Sequence, residues 1–273
     1  MNEFDEWIGF ERRASDVISP RLADHFRVTL DDVLPDGPDL PGIQWCLAPD
    51  ACAPADLGRD GHPKTGMFLP KLPLPRRMWA SGELLISGGF QVGDAVTRTS
   101  TISDIRFKKG RSGDLGFVTV DHRYEVGGEA RISERQMIVY RDDPAPDAPA
   151  PVPPQAERWE TVHAQEIETN PTLLFRYSAL TFNGHRIHYD HPYATDVEGY
   201  AGLVVHGPLQ ATWMQNVATR VLGRAPRSFS YRGLSPLICG GKAIVEAREG
   251  ENGLEIRVRN GEENFVTMQA TAT

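Results

Sequence analysis

The chain has 273 residues, 40% of them apolar and 24% charged, a globular composition with room for one large or two ordinary domains, which excludes a disordered or fibrous class. A net charge of −8 and a pI near 5.5 leave no basic face for nucleic acid as the main partner, while a local basic pocket for an acidic metabolite stays open. No apolar run reaches the roughly 18 residues that a membrane span needs. The first residues, "MNEFDEWIGFERR", are acidic and lack the apolar core of a signal peptide. Cys46, Cys52 and Cys239 are odd in number and show no CxxC spacing. That speaks against a zinc site or a disulfide framework and fits a reducing cytoplasm.

In chain order, "GMFLPKLPLPRRMWASGEL" at 66–84 carries Pro70, Pro73 and Pro75 and reads as loop-like. From 92 to 141 follow β-rich alternating runs broken by glycine-containing turns. Residues 142–156, "DDPAPDAPAPVPPQA", alternate proline, alanine and aspartate, a composition that forms neither helix nor ladder. They divide the chain into an N-terminal part, 1–141, and a C-terminal part, 157–273. In the latter, "HGPLQATWMQNVATRVLGR" at 206–224 places Pro208 in a first helical turn and Gly223 at a helix stop. Met214, Val217, Ala218, Val221 and Leu222 fall at helical spacing and form a stripe to be buried. A second set of alternating runs ends the chain, with a Gly-Glu turn before the last strand as in the first half. One long helix followed by a curved antiparallel sheet is the hotdog arrangement. The expected fold class is therefore α+β, two hotdogs in tandem, with 66–84 as a degenerate N-terminal counterpart of the helix.

The densest chemistry lies in "TFNGHRIHYDHPYA" at 181–194, where His185, His188 and His191 recur every three residues. Histidine tracts bind metals, but a metal site needs ligands converging on one point, and this spacing on an irregular segment does not supply that. A phosphate site has less support, since the chain holds no GxGxxG or Walker-type loop. Proton transfer suits the residues best. A histidine is the natural base at neutral pH, Asn183 five residues before His188 can fix a water, and the amide of Gly207 at a helix start suits a developing oxyanion. "NGH" is equally good turn chemistry, and Tyr189, Asp190 and Tyr193 also suit packing and capping.

"SALTFNGHRIHYDHPYA" followed by "EGYAGLVVHGPL" resembles the signature of the MaoC-like hotdog dehydratases and R-specific enoyl-CoA hydratases. "GMFLPKLPLPRRMWASGEL" and "FKKGRSGDLGFVTV" resemble the N-terminal domain of fused, two-hotdog members. Together the matches span nearly the whole chain. Within this set the sequence most resembles the mesaconyl-C4-CoA and itaconyl-CoA hydratases and the hydroxyacyl-thioester dehydratases of type 2. The resemblance implies that Asn183 and His188 share one water, that His185 occupies the polar position between them, and that Gly207 binds the thioester oxygen. The family carries aspartate where this chain has Asn183, and an amide cannot accept a proton, so His188 would carry the proton and Asn183 would orient the water. Asp190 is a candidate to hold the histidine tautomer.

Of the eight histidines, at 25, 62, 122, 163, 185, 188, 191 and 206, only His188 has a carboxamide or carboxylate five residues before it. The N-terminal half is accordingly expected to be catalytically silent and to form part of the acyl tunnel. Arg176, Arg186, Arg76 and Arg77 are candidates to clamp a distal carboxylate or a CoA phosphate through their planar forks, and His206, Tyr189 and Asp190 complete the expected substrate-binding set. The sequence thus points to a cytoplasmic hydro-lyase, a homodimer or higher homo-oligomer. It would add water reversibly to a short, C5 dicarboxylic enoyl-CoA of the kind met in itaconate degradation. No metal or redox cofactor is implied, because the thioester itself acidifies the α-carbon, and neither nucleic acid nor membrane is an expected partner. The alternatives are a 3-hydroxyacyl-thioester dehydratase of fatty-acid synthesis, a non-catalytic acyl-thioester binding protein, and a thioesterase.

Overall fold

The structure is a computed structural model that describes residues 4–110, 113–143 and 152–273, so most of the proline-alanine segment at 142–156 lies outside the described residues. Before that segment come β1 (Glu11–Val17), α1 (Pro20–Leu30), β2 (Arg76–Ile86), β3 (Ala95–Gly110), β4 (Gly113–Val126) and β5 (Glu129–Arg141). After it come β6 (His163–Glu168), α2 (Pro171–Thr181), α3 (Gly207–Leu222), β7 (Ser228–Gly233), β8 (Lys242–Gly250), β9 (Gly253–Asn260) and β10 (Val266–Ala272). All the strands pair antiparallel into one sheet of order β1-β3-β4-β5-β2-β7-β10-β9-β8-β6. From the β2–β7 joint outward the two halves run in the same succession, so the expected meander is used twice, once on each side.

The helix starts follow from local chemistry. Ser19 accepts the amide of Leu22 ahead of Pro20, and Asn170 accepts the amide of Leu173 ahead of Pro171, in each case an N-cap followed by a proline whose missing N–H costs nothing. α3 opens at Gly207 and Pro208 and stops at Gly223 in the left-handed conformation, φ 67°. Every residue from Leu209 to Thr219 is buried, polar ones included, because the curved sheet covers one side and the N-terminal half the other. The polar side chains bond inside this shell: Thr267 Oγ1 donates to Gln210 Oε1 at 2.7 Å, and Asn216 Nδ2 donates to the carbonyl of Pro41 at 2.8 Å.

The N-terminal half has a helix of its own, α1 at 20–30, with Ala23, Phe26 and Leu30 buried; it follows β1 as α2 follows β6, while the place of α3, before β2, holds no long helix among the described residues. The prolines hold 66–75 irregular, as read, but Arg76–Ile86 departs from expectation: it is β2, the strand that joins the halves. Ser19, Pro20 and the helical spacing of Ala23, Phe26 and Leu30 mark α1 in the sequence. Arg76 and Arg77 masked the start of β2.

The joint carries a buried charge. β2 pairs with β7 from Ser81↔Arg232 to Leu85↔Ser228. Trp79 stacks on Tyr231 at 4.2 Å, and Trp45 meets both rings edge-on. Beneath them Glu134 of β5 is 3% exposed and accepts Tyr231 Oη–H at 2.8 Å and Trp45 Nε1–H at 3.1 Å. Burial pushes its carboxyl up to about 6 against the pull of these two donors. With the folded value raised above that of a free glutamate, protonated Glu134 favours the fold at low pH, and the benefit is lost as pH rises through about 6. Tyr231→Phe removes one donor from a buried carboxylate, a loss of about 1–3 kcal/mol. In urea titrations the variant is expected to be less stable by that amount at pH 8, where the carboxylate is charged, and by clearly less at pH 5.

Candidate active site

α2 ends at Thr181, Phe182 takes a left-handed conformation at φ 49°, and the chain turns through Asn183, Gly184 and His185. Asn183 Oδ1 accepts the amide of His185 at 2.9 Å, an Asx turn. One turn of 3₁₀-helix, Arg186–His188, then carries His188 inward. His188 is 6% exposed, and its Nδ1 lies 2.7 Å from the carbonyl of Val204. A carbonyl only accepts, so Nδ1 bears the hydrogen and Nε2 is left with its lone pair.

A second turn of the same design faces the first. In Asp60–Gly61–His62, Asp60 Oδ1 accepts the amide of His62 at 3.1 Å. "DGH" and "NGH" pack against each other backbone to backbone. Gly61 has φ 85°, and a Cβ there would run into the carbonyl of Gly184. A Cβ on Gly184 would stand 2.8 Å from the carbonyl of Gly61. The amide of Arg186 donates to the carbonyl of Asp60 at 2.8 Å. The contact aligns four imidazoles. His62 lies 4.2 Å from His185, His185 meets His188 edge-on at 5.3 Å, and His188 stacks on His206 at 3.6 Å. His206 Nε2 is 2.8 Å from Ser178 Oγ on α2.

Burial dominates the electrostatics. It pushes His185 down to about 2, helped by the neighbouring His62. It drives His188 and His206 well below the ordinary histidine range, each worsened by a second ring, and for His188 only the Val204 carbonyl opposes it. These three rings are neutral at physiological pH. Charge sits at the outer end of the row. Burial alone would raise the Asp60 carboxyl, but His62 and the guanidinium of Arg77 outweigh it and hold the group well below the usual carboxylate range. Asp60 Oδ2 accepts both His62 Nδ1 and Arg77 Nη2 at 3.1 Å.

The start of α3 closes the other side. His206 caps the helix directly before Gly207, so stacking on His188 brings the helix mouth to the base. Among the described residues the amide of Gly207 meets no acceptor. Trp79 covers this glycine so closely that a Cβ would stand 2.7 Å from its ring.

The structure therefore gathers His185, His188, His206 and Gly207, with Asn183 at the rim holding the turn. No direct hydrogen bond joins Asn183 to His188 among the described residues; the oxygen of the carboxamide is taken by His185. Asp190 does not hold the tautomer, which is the work of Val204. It accepts Arg186 Nε and Nη2 at 2.9 and 2.8 Å and caps the amide of Tyr193, and the Arg186 bond holds its carboxyl low. Tyr189 is exposed and donates to the carbonyl of Gly184 at 3.0 Å. The arginines are engaged: Arg76 with buried Glu198 at 2.6 Å, Arg77 with Asp60, and Arg186 with Asp190 and over the Tyr193 ring at 4.1 Å. Arg176 points away from the site, along the outer face of α2, toward the carbonyl of Val28 at 3.4 Å. Asp60 and His62 are the groups beside the site that sequence reading did not single out, because the carboxylate stands two positions, not five, before His62; Arg77, a candidate from the sequence, meets Asp60. Asp60, His62 and His185 offer ligand atoms within 4.8 Å of one another, but the Arg77 guanidinium on Asp60 places a positive charge where a cation would bind.

Comparison with known proteins shows the family and the fold. The model of the family described as hydroxyacyl-thioester dehydratase type 2 matches residues 42–239. The mesaconyl-C(4)-CoA hydratase of Chloroflexus aurantiacus is 36% identical over 97% of this chain and 95% of its own. A MaoC-like dehydratase from Phytophthora capsici, 16% identical, superposes with a TM-score of 0.70 over 99% of this chain and 98% of its own. A double-hotdog protein of Mycobacterium tuberculosis, 14% identical, superposes with a TM-score of 0.60 over 98% and 96% of the two chains.

The facing turns give a direct test. Gly61→Ala both clashes with Gly184 and strains a left-handed backbone, whereas Gly37→Ala, at φ 125° with open space around it, meets the backbone strain alone. Strain of this kind costs about 1–3 kcal/mol. Urea unfolding is expected to show the Gly61 variant less stable than the Gly37 variant, with loss of the His62–His185 ring contact in NMR spectra.

Proposed function

Because the chain belongs to the hydroxyacyl-thioester dehydratase type 2 family and is a hydro-lyase of acyl thioesters, we propose that it adds water to a short C5 dicarboxylic enoyl-CoA. Mesaconyl-C4-CoA is the representative substrate. The observation that carries this is the state of His188: Nδ1–H is committed to Val204, Nε2 is free, and an unpartnered helix-terminal amide lies one residue beyond the ring that stacks on it. His188 Nε2 takes the proton of a water that Asn183 orients through its free Nδ2. The water oxygen bonds to the β-carbon. The π electrons move onto the thioester oxygen, where the Gly207 amide and the positive end of α3 receive the charge. The α-carbon then takes a proton. The reverse passage dehydrates a 3-hydroxyacyl thioester with the same groups.

The dicarboxylic acyl group is supported by the relative named for that substrate and its near full-length match. Of Arg76, Arg77 and Arg186, Arg186 is the most open, with 39% of its side chain exposed, and is the candidate to meet a distal carboxylate. The family description favours a second reading, a 3-hydroxyacyl-thioester dehydratase acting on carrier-bound chains.

His188→Ala is expected to lower kcat by at least about 10²-fold, the usual contribution of a positioned base, with unchanged far-UV circular dichroism. Near wild-type turnover would remove His188 from the chemistry. In a panel of enoyl thioesters followed by loss of the enoyl absorbance, mesaconyl-C4-CoA is expected to exceed crotonyl-CoA in kcat/KM. The opposite order, with preference for longer carrier-bound chains, would favour the dehydratase of fatty-acid synthesis.

A further inference from the structure

The row of imidazoles has two unlike ends. His188, His185 and His206 are buried and have no carboxylate partner among the described residues. His62 is the exception. Its side chain is 29% exposed, and its Nδ1 lies on the Asp60 carboxylate. A histidine so held has its tautomer fixed, its Nε2 directed away from the carboxylate, and an adjacent negative charge to balance an added proton. This group is built in. Asp60 accepts the amide of His62 with one oxygen and its ring with the other, and Arg77 locks the second oxygen. The Gly61–Gly184 approach then sets the ring beside His185.

Hydration needs two proton transfers at neighbouring carbons. One removes a proton from water and the other delivers one to the α-carbon. His188 serves the first but is poorly placed to remain charged, with His206 stacked on it and only a neutral carbonyl opposite. We propose that His62, held by Asp60 and contributed by the N-terminal half, is the second acid–base group of this site and delivers the proton that the α-carbon receives. The proposal rests on the hydratase assignment above.

The step balances. The water O–H bond breaks as the oxygen bonds to the β-carbon, and that proton goes to His188 Nε2. As the enolate collapses, the His62 Nε2–H bond breaks and a C–H bond forms at the α-carbon, leaving His62 neutral on Asp60. The proton on His188 then passes across His185 to His62. A nitrogen of His62 lies within 4.8 Å of one on His185, a gap that one bridging water spans. The charged and titratable groups facing His62 are Asp60 and Arg77 from its own half and His185 from the other. Arg186 packs against the same turn with its guanidinium turned to Asp190.

The test uses the full chain and mesaconyl-C4-CoA or whichever enoyl-CoA the panel shows to be turned over. His62→Gln is expected to lower kcat by about 10²–10⁴-fold with KM changed by only a few-fold. Asp60→Asn removes the charge on which His62 Nδ1 rests, so the alkaline limb of kcat for hydration is expected to move to lower pH. A merely structural role would leave the limb in place. Wild-type kcat in His62→Gln, or an unmoved limb in Asp60→Asn, overturns the proposal while the hydratase assignment stands. A wild-type protein inert toward every enoyl thioester overturns that assignment and this role with it.

Discussion

The site depends on one close backbone approach, Gly61 against Gly184. Only residues without a Cβ allow two Asx turns to meet this closely. From the contact follow the position of His62 beside His185, the hydrogen bond from the Arg186 amide to the Asp60 carbonyl, and the inward course of the turn that ends at His188. The continuous sheet brings the two halves side by side through β2 and β7.

Burial then sorts the histidines by function. The Val204 carbonyl fixes the tautomer of His188 without lending charge, so the ring is a neutral base with one free nitrogen. Stacking on His206 adds a neutral neighbour and leads directly to Gly207 and the positive end of α3. One ring contact thus holds an imidazole with a free Nε2 beside the start of α3. The negative charge of Asp60 is kept at the outer end, balanced by Arg77, where solvent reaches His62.

Much of this was legible in the sequence. Pro208 and Gly223 mark the ends of α3; the stripe through Met214, Val217 and Ala218 is buried, but so is every residue from Leu209 to Thr219, while Val221 and Leu222 are half-buried. The alternating runs likewise record the two meanders. The cluster at 181–194 marked the turn that carries His185 and His188 to the start of α3, and the glycine-led helix followed in order. α1 left its trace in Ser19, Pro20 and the helical spacing of Ala23, Phe26 and Leu30, the same signals that mark α3, though the sequence reading did not use them. The position of Asp60 and His62 beside His185 was hidden for a different reason. Their partner in space, His185, is remote in sequence, and a search at a fixed spacing of five passes over a carboxylate two residues away. The signal was present as an echo, "DGH" before "NGH", two Asx–Gly–His turns in corresponding halves. The roles of the arginines were the least legible, because only packing shows that Arg76 meets Glu198 and Arg186 meets Asp190.

The central claim is that His188 stands neutral with its hydrogen on Nδ1 and its lone pair on Nε2. Nitrogen-15 spectra of the histidine rings in the resting protein at pH 7 test it most directly. The expected result is a His188 ring with a protonated Nδ1 and an unprotonated Nε2, unchanged down to pH 5. A ring protonated at Nε2 alone, or at both nitrogens, would leave no base at the mouth of α3 and would contradict the proposed chemistry.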